Sequence, residues 1–116
     1  MPDSLATEAV VPRLQTTWLG KHYVFLQSID STNSYLDKLA REGAARGTVV
    51  VADTQTHGRG RLGRQWVSPP GCNLYLSLLL RPDWVPGVML PLSLTAGVAL
   101  AEAVTPLLPE RPRLKW

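Results

Sequence analysis

The chain has 116 residues, 45% of them hydrophobic and 18% charged. That length holds one core, and that balance has neither the polarity of a disordered chain nor the unbroken apolar runs of a membrane protein, so a single globular domain, or part of one, is expected. Twelve Lys and Arg against nine Asp and Glu leave a formal charge of +3, too mild to define a partner by itself.

Residues 1–20 mix Pro2, Pro12 and Gly20 with short apolar pieces. Asp3 and Glu8 stand where a secretory signal needs a basic start and an apolar run, so no export is expected. The segment also lacks the patterned helices of a helix-turn-helix reader, and no sequence-specific DNA binding is expected from it. Residues 1–22 are read as a lead-in. The apolar, aromatic run over 23–27 suits a strand. Asp30-Ser31-Thr32-Asn33 then offers several side chains able to cap a helix, and Tyr35, Leu36, Leu39 and Ala40 fall at helical spacing. A helix is predicted over 32–42, with Gly43 as its stop. The β-branched run over 48–52 reads as a short buried strand.

Residues 54–72 carry four glycines, two prolines and three arginines without hydrophobic periodicity, and are predicted to form a long functional loop. Alternating leucines over 73–81, with apolar residues on both faces, predict an interior strand. A turn over 82–87 leads to a helix over 90–107, apolar around most of its circumference and therefore expected to be deeply packed. Pro91, Glu102 and Pro106 interrupt it, leaving too short an apolar run for a bilayer, which takes about 20 residues, and no membrane association is expected. Pro109 and Pro112 end it, and Arg113-Leu114-Lys115-Trp116 reads as the opening of another strand. Strands mixed with helices give an α+β or α/β class. Cys72 is the only cysteine, which excludes an internal disulfide, fits a reducing cytoplasmic compartment and reads as a small buried thiol.

The segment Gly58-Arg59-Gly60-Arg61-Leu62-Gly63 satisfies G-x-G-x-x-G after a predicted strand. A dinucleotide fingerprint needs a helix starting within the glycines, and Trp66-Val67-Ser68-Pro69-Pro70-Gly71 cannot sustain one. Any phosphate must therefore be held by side chains. Arg59, Arg61 and Arg64 suit that task, because a guanidinium donates paired, charge-assisted hydrogen bonds and stays ionised at physiological pH. Such a loop is expected to be mobile when empty and to order around an anion. The same arginines with Trp66 would also serve a nucleic-acid module. Taken singly, Ser31 to Asn33 read as a helix cap, Gln55 as a loop amide, and Trp66, Trp18 and Trp84 as packing residues. His57 receives no role, and Asn73 and Tyr75 lie near the presumed site without a defined orientation.

In order and spacing, Ser31-Thr32-Asn33, Gln55, the block Gly58 to Trp66, Ser68-Pro69 and Asn73-Leu74-Tyr75-Leu76-Ser77 resemble the biotin-protein ligase family over residues 23–116. The resemblance implies an α+β fold: a mixed β-sheet with packed helices of the class II aminoacyl-tRNA synthetase and biotin ligase type, incomplete at its C-terminal side. It implies biotin and ATP as substrates with Mg²⁺, biotinyl-5′-AMP as intermediate, and a lysine of a biotin carboxyl carrier domain as acceptor. By similarity Ser31, Thr32, Asn33, Gln55, Arg59, Gly60, Arg61 and Trp66 would contact biotin. Gly58, Arg59, Gly60, Arg61, Arg64 and Trp66 would line the nucleotide, and Arg59, Arg61 and Lys115 would be catalytic, with no protein metal site. In the family, Pro-Asn-Asp and a further ligand-contacting lysine follow the Lys-Trp pair; here Trp116 is the last residue, so a truncated ligase with little activity alone, an exposed sheet edge and a possible homodimer are expected. A lipoate ligase or octanoyltransferase is the nearest rival, and the glycine-arginine block argues against it. A non-catalytic domain associating through its exposed strand edge is the remaining alternative.

Overall fold

The computed structural model describes residues 5–81 and 89–115. The chain divides into two compact units, Met1–Arg81 and Pro82–Trp116.

The first unit opens with a short helix, α1 (Thr7–Val10), and a single 3-10 turn over Val11–Arg13. This lead-in is fastened to the sheet: the Tyr23 hydroxyl donates to the Leu5 carbonyl at 2.6 Å, and the Gly20 amide donates to the Gly47 carbonyl at 2.8 Å. Strand β1 (Tyr23–Ile29) runs parallel to β2 (Val49–Arg59), in register from Tyr23 opposite Val49 to Ile29 opposite Gln55. Parallel neighbours need a crossover, and helix α2 (Thr32–Arg41) supplies it. Ser31 caps α2 from extended backbone, its Oγ accepting from the Ser34 amide at 3.4 Å. Beyond the other end, Gly43 takes φ +94, a left-handed conformation that only glycine adopts freely. Arg81 satisfies carbonyls at this end, its guanidinium donating to Ala40 at 2.8 Å and to Ala44 at 2.8 and 3.0 Å.

Strand β2 is the axis of the sheet. β1 lines one edge, while β3 (Gln65–Ser68) and β4 (Tyr75–Leu78) both run antiparallel along the other, β4 beside Val49 to Ala52 and β3 beside Gln55 to Arg59. The register slips between Gln55 and Gly58, which marks a bulge or irregularity there. Val49, Val50, Val51 and Ala52 are all buried, so both faces of β2 are covered at this level, and Leu36 of α2 is buried with them. Val50 stands opposite Ser77, whose Oγ lies 2.8 Å from Thr32 Oγ1 at the start of α2, so α2 covers that face.

Several sequence expectations change here. The strand predicted over 48–52 continues to Arg59, and the predicted loop over 54–72 is in large part a β-hairpin. Pairing with β3 satisfies the backbone of residues whose side chains are polar, and a search for hydrophobic periodicity is blind to such strands. The interior strand over 73–81 shortens to Tyr75–Leu78 and, among the described residues, has a neighbour on one side only; Ser77 is buried while Leu76 and Leu78 are 43% and 42% exposed. Cys72 is exposed, not buried, on the turn between β3 and β4. That turn is held by the Asp53 carboxylate, which accepts from the Gly71 amide at 3.0 Å. Trp18 is 41% exposed and lies beneath the Arg46 guanidinium, 5.0 Å from its ring centroid.

The second unit holds α3 (Met89–Val104) and a 3-10 turn over Thr105–Leu107. The sequence placed this helix at 90–107; Pro106 cannot continue an α-helix, and the last turn tightens instead. Deep packing does not hold, because Leu94, Val98 and Leu100 are exposed and, among the described residues of this unit, Ala101 alone is a buried hydrophobic residue. Residues 111–115 form no strand. The turn over 82–87 with Trp84, and Trp116, lie outside the described residues. Among the described residues no helix is long and apolar enough to cross a membrane.

Candidate functional site

Where β1 gives way to α2 and β2 gives way to β3, two adjoining open depressions of about 1230 and 470 Å³ share Ser31, Asn33, Arg59 and Trp66. The N-terminus of α2 forms one wall and the β2–β3 hairpin the other. A helix start presents backbone N–H groups and the positive end of its dipole, so this wall favours an anion before any side chain is counted.

The floor of the smaller depression is a hydrogen-bond network spanning three elements. The Gln55 side-chain carbonyl accepts from the Thr32 amide at 2.8 Å and lies 3.2 Å from Thr32 Oγ1. Gln55 Nε2 donates to Ser68 Oγ at 3.2 Å, which donates to the Trp66 carbonyl at 3.2 Å. On the other side, Thr32 Oγ1 meets Ser77 Oγ, and Ser77 Oγ donates to the Asn33 side-chain carbonyl. A hydroxyl has one proton: that of Ser77 goes to Asn33, and that of Thr32 is shared between the Gln55 carbonyl and Ser77 Oγ. Asn33 is thereby turned with its oxygen inward, which leaves its NH₂ group as a donor for a ligand. Buried side chains satisfied in this way are held in one arrangement, which pre-forms the site.

The arginine hairpin forms the other wall. Its tip is closed by the Gly60 amide donating to the Arg64 carbonyl at 2.7 Å and the Arg64 amide to the Arg61 carbonyl at 3.1 Å. The backbone turns through one 3-10 turn, Arg61–Gly63, and enters β3, so the glycine motif does not open a helix. Leu62 at the tip holds φ 57 and is 90% exposed. Gly58 is required by close approach: a Cβ there would sit 2.7 Å from Ser68 Oγ and 2.9 Å from both Gln55 Nε2 and the Trp66 carbonyl. Among the described residues, the side chains of Arg59, Arg61 and Arg64 have no hydrogen-bond or ion-pair partner, and the one ion pair is Arg41 with Asp37 on the outside of α2. Three ionised guanidinium groups on one short hairpin without a counter-charge form a concentrated positive field facing the cleft.

The structure therefore brings together most of the residues singled out in the sequence. Ser31, Asn33, Arg59, Gly60, Arg61, Arg64 and Trp66 line the larger depression, and Thr32, Gln55, Asn73 and Tyr75 join at the smaller one. Trp66, a packing residue on local grounds, is 67% exposed at the junction of the two. Gly58 is buried beneath the hairpin. Lys115 is exposed in the irregular segment of the second unit, and its assignment rests on the sequence resemblance alone. The hairpin has defined backbone hydrogen bonds where the sequence suggested a mobile loop. Ser68 and Ser77 were not singled out as functional; they act by holding Gln55 and Asn33, and the signal for them in the sequence was their place in the blocks that carry the resemblance.

A family model described as the biotin/lipoate A/B protein ligase family matches residues 25–113. The chain is 37% identical to the bifunctional ligase/repressor BirA of Bacillus spizizenii over 116 residues, covering 99% of this chain and 35% of that protein. It is similar to the biotin protein ligase of Aquifex aeolicus in complex with biotin and ATP, with 40% identity and a TM-score of 0.69 over 83% of this chain and 39% of that one. It is likewise similar to the Leishmania major biotin protein ligase in complex with biotinyl-5-AMP, with 32% identity and a TM-score of 0.65 over 76% of this chain and 36% of that one. The chain thus spans little more than a third of the length of these relatives. The matched span takes in both walls of the cleft and the whole arginine hairpin, and the chain belongs to the biotin/lipoate A/B protein ligase family.

Proposed function

We propose that this chain carries the biotin- and nucleotide-binding part of a biotin-protein ligase. The observation that carries the reading is the set of guanidinium groups of Arg59, Arg61 and Arg64, unpartnered among the described residues, facing the start of α2 across a cleft floored by the Thr32, Gln55 and Ser77 network. Biotin is an uncharged ring system carrying a carboxylate, and such a site offers both fixed polar partners and positive charge. Ser31, Thr32, Asn33 and Gln55 would hold the ring, Arg59, Gly60 and Arg61 would meet the carboxylate and phosphate, and Gly58, Arg64 and Trp66 would line the nucleotide.

In the proposed reaction the biotin carboxylate attacks the α-phosphorus of ATP, forming biotinyl-5′-AMP and releasing pyrophosphate. The amine of a lysine on a biotin carboxyl carrier domain then attacks the acyl carbon, and AMP leaves. The first step brings like charges together. Arg59 and Arg61 lower that barrier by neutralising carboxylate and phosphate at once, the form of electrostatic stabilisation that contributes most in such reactions. Among the described residues no group of three or more His, Cys, Asp or Glu is placed to hold a metal. Mg²⁺ enters this reading as part of MgATP, with phosphate oxygens among its ligands.

The similar proteins whose names or structures specify a ligand or product, such as the biotin--[acetyl-CoA-carboxylase] ligase of Mycobacterium tuberculosis, are biotin enzymes, which favours biotin over lipoate. Equilibrium binding of labelled biotin and labelled lipoate to the folded chain, with and without ATP, tests the choice. Binding of biotin with exclusion of lipoate is expected, and preference for lipoate would overturn the reading.

A further inference from the structure

Resting on the nucleotide reading above, we propose that His57 is a further phosphate-contacting residue of the cleft. No role for it was legible in the sequence, and three observations on the structure support one. First, it lies on β2 two residues before Arg59 and lines the larger depression together with Ser31, Arg59 and Arg61. Second, its backbone is pinned: the His57 amide donates to the Asp30 carbonyl at 2.8 Å, on the connection that leads into α2. Third, its Nδ1 is engaged by Thr56 Oγ1 at 2.9 Å, while Nε2 has no partner among the described residues.

The tautomer logic follows from the Thr56 hydroxyl, which can donate or accept. When it donates to Nδ1 of the neutral ring, the ring proton sits on Nε2. When the ring is protonated, the hydroxyl accepts from Nδ1–H, and Nε2 again carries a proton. In these two states Nε2 carries a proton; in the other neutral tautomer Nδ1–H donates to Thr56 and Nε2 is an acceptor, so contact with a phosphate oxygen selects one of the first two. The charged groups around it are Asp30 on the β1–α2 connection and Arg59, Arg61 and Arg64 on the hairpin. Asp30 already accepts from the Ser31 amide at 2.7 Å through Oδ1, and the arginines offer no acceptor. Three guanidinium groups against the one Asp30 carboxylate leave this cluster net positive, and the phosphate chain of a nucleotide supplies complementary anionic oxygens.

Calorimetric titration of the 116-residue chain with ATP, adenosine and biotin tests this, using His57→Ala and His57→Gln. Glutamine places an N–H donor near the Nε2 position, and His57 is exposed, so both variants should fold with unchanged melting curves. The alanine variant is expected to bind ATP about five-fold more weakly, as loss of one hydrogen bond implies, with adenosine and biotin unaffected and glutamine restoring ATP binding. Unchanged ATP affinity in His57→Ala, an equal loss for adenosine, or no rescue by glutamine would each overturn the proposal while the ligase reading stands. A folded wild-type chain that binds no ATP would instead remove the nucleotide reading and this inference together.

Discussion

Among the described residues Arg59, Arg61 and Arg64 hold like charges on one hairpin with no partner, an arrangement that costs free energy until an anion arrives. Their removal should therefore weaken ligand binding without weakening the fold. Gly58 is the opposite case. Gly58→Ala forces a methyl against Ser68 and the Trp66 carbonyl, so a loss of about 1 to 3 kcal/mol is expected in urea denaturation, together with loss of ligand binding as Gln55 is displaced. Tyr23 gives a pH signature. Burial raises its phenol above the ordinary value of 10.0. The folded state then holds the proton more tightly than the unfolded state, so the stability linked to Tyr23 is present below about pH 10 and is lost as the pH rises through the raised value. Melting temperatures measured into the alkaline range should fall less steeply in Tyr23→Phe than in wild type.

At the level of the elements, α2 and the first half of β2 were legible because their signals are local: a capping run with apolar residues at helical spacing, then a β-branched run. Ser31→Ala should cost about 1 kcal/mol through the lost cap, and Val50→Ala about 2 kcal/mol through a cavity at a fully buried site, both read from denaturant midpoints. What the sequence concealed was pairing. Thr54 to Arg59 has no apolar face, yet it is strand because β3 returns alongside it, with Thr54 Oγ1 donating to the Ser68 carbonyl at 2.6 Å. The leucines of β4 misled in the other direction: Ser77 faces inward for its hydrogen bonds to Thr32 and Asn33, and the leucines beside it turn outward. The candidate site was readable as a set of residues from the resemblance, whereas the network that orients them depends on contacts between residues more than 20 positions apart, such as Thr32 with Gln55 and Ser77.

Across the whole molecule, apolar side chains stay uncovered in both units, among them Leu76 and Leu78 in the first and Val98 and Leu100 in the second. Uncovered apolar surface of this kind drives association, so the sedimentation coefficient should rise with protein concentration, and paired Leu76→Ser and Leu78→Ser substitutions should reduce that rise. Both walls of the cleft lie in the first unit. The most direct test is calorimetric titration of the folded chain with a hydrolysis-resistant analogue of biotinyl-5′-AMP, in wild type and in Arg61→Ala. One analogue per chain is expected to bind, with Arg61→Ala weakening it about ten-fold or more, as loss of a charge-assisted hydrogen bond implies, at an unchanged melting temperature. Equal affinity in the two proteins, or no binding to a folded wild-type chain, would contradict the assignment of the arginine hairpin as the anion-binding wall.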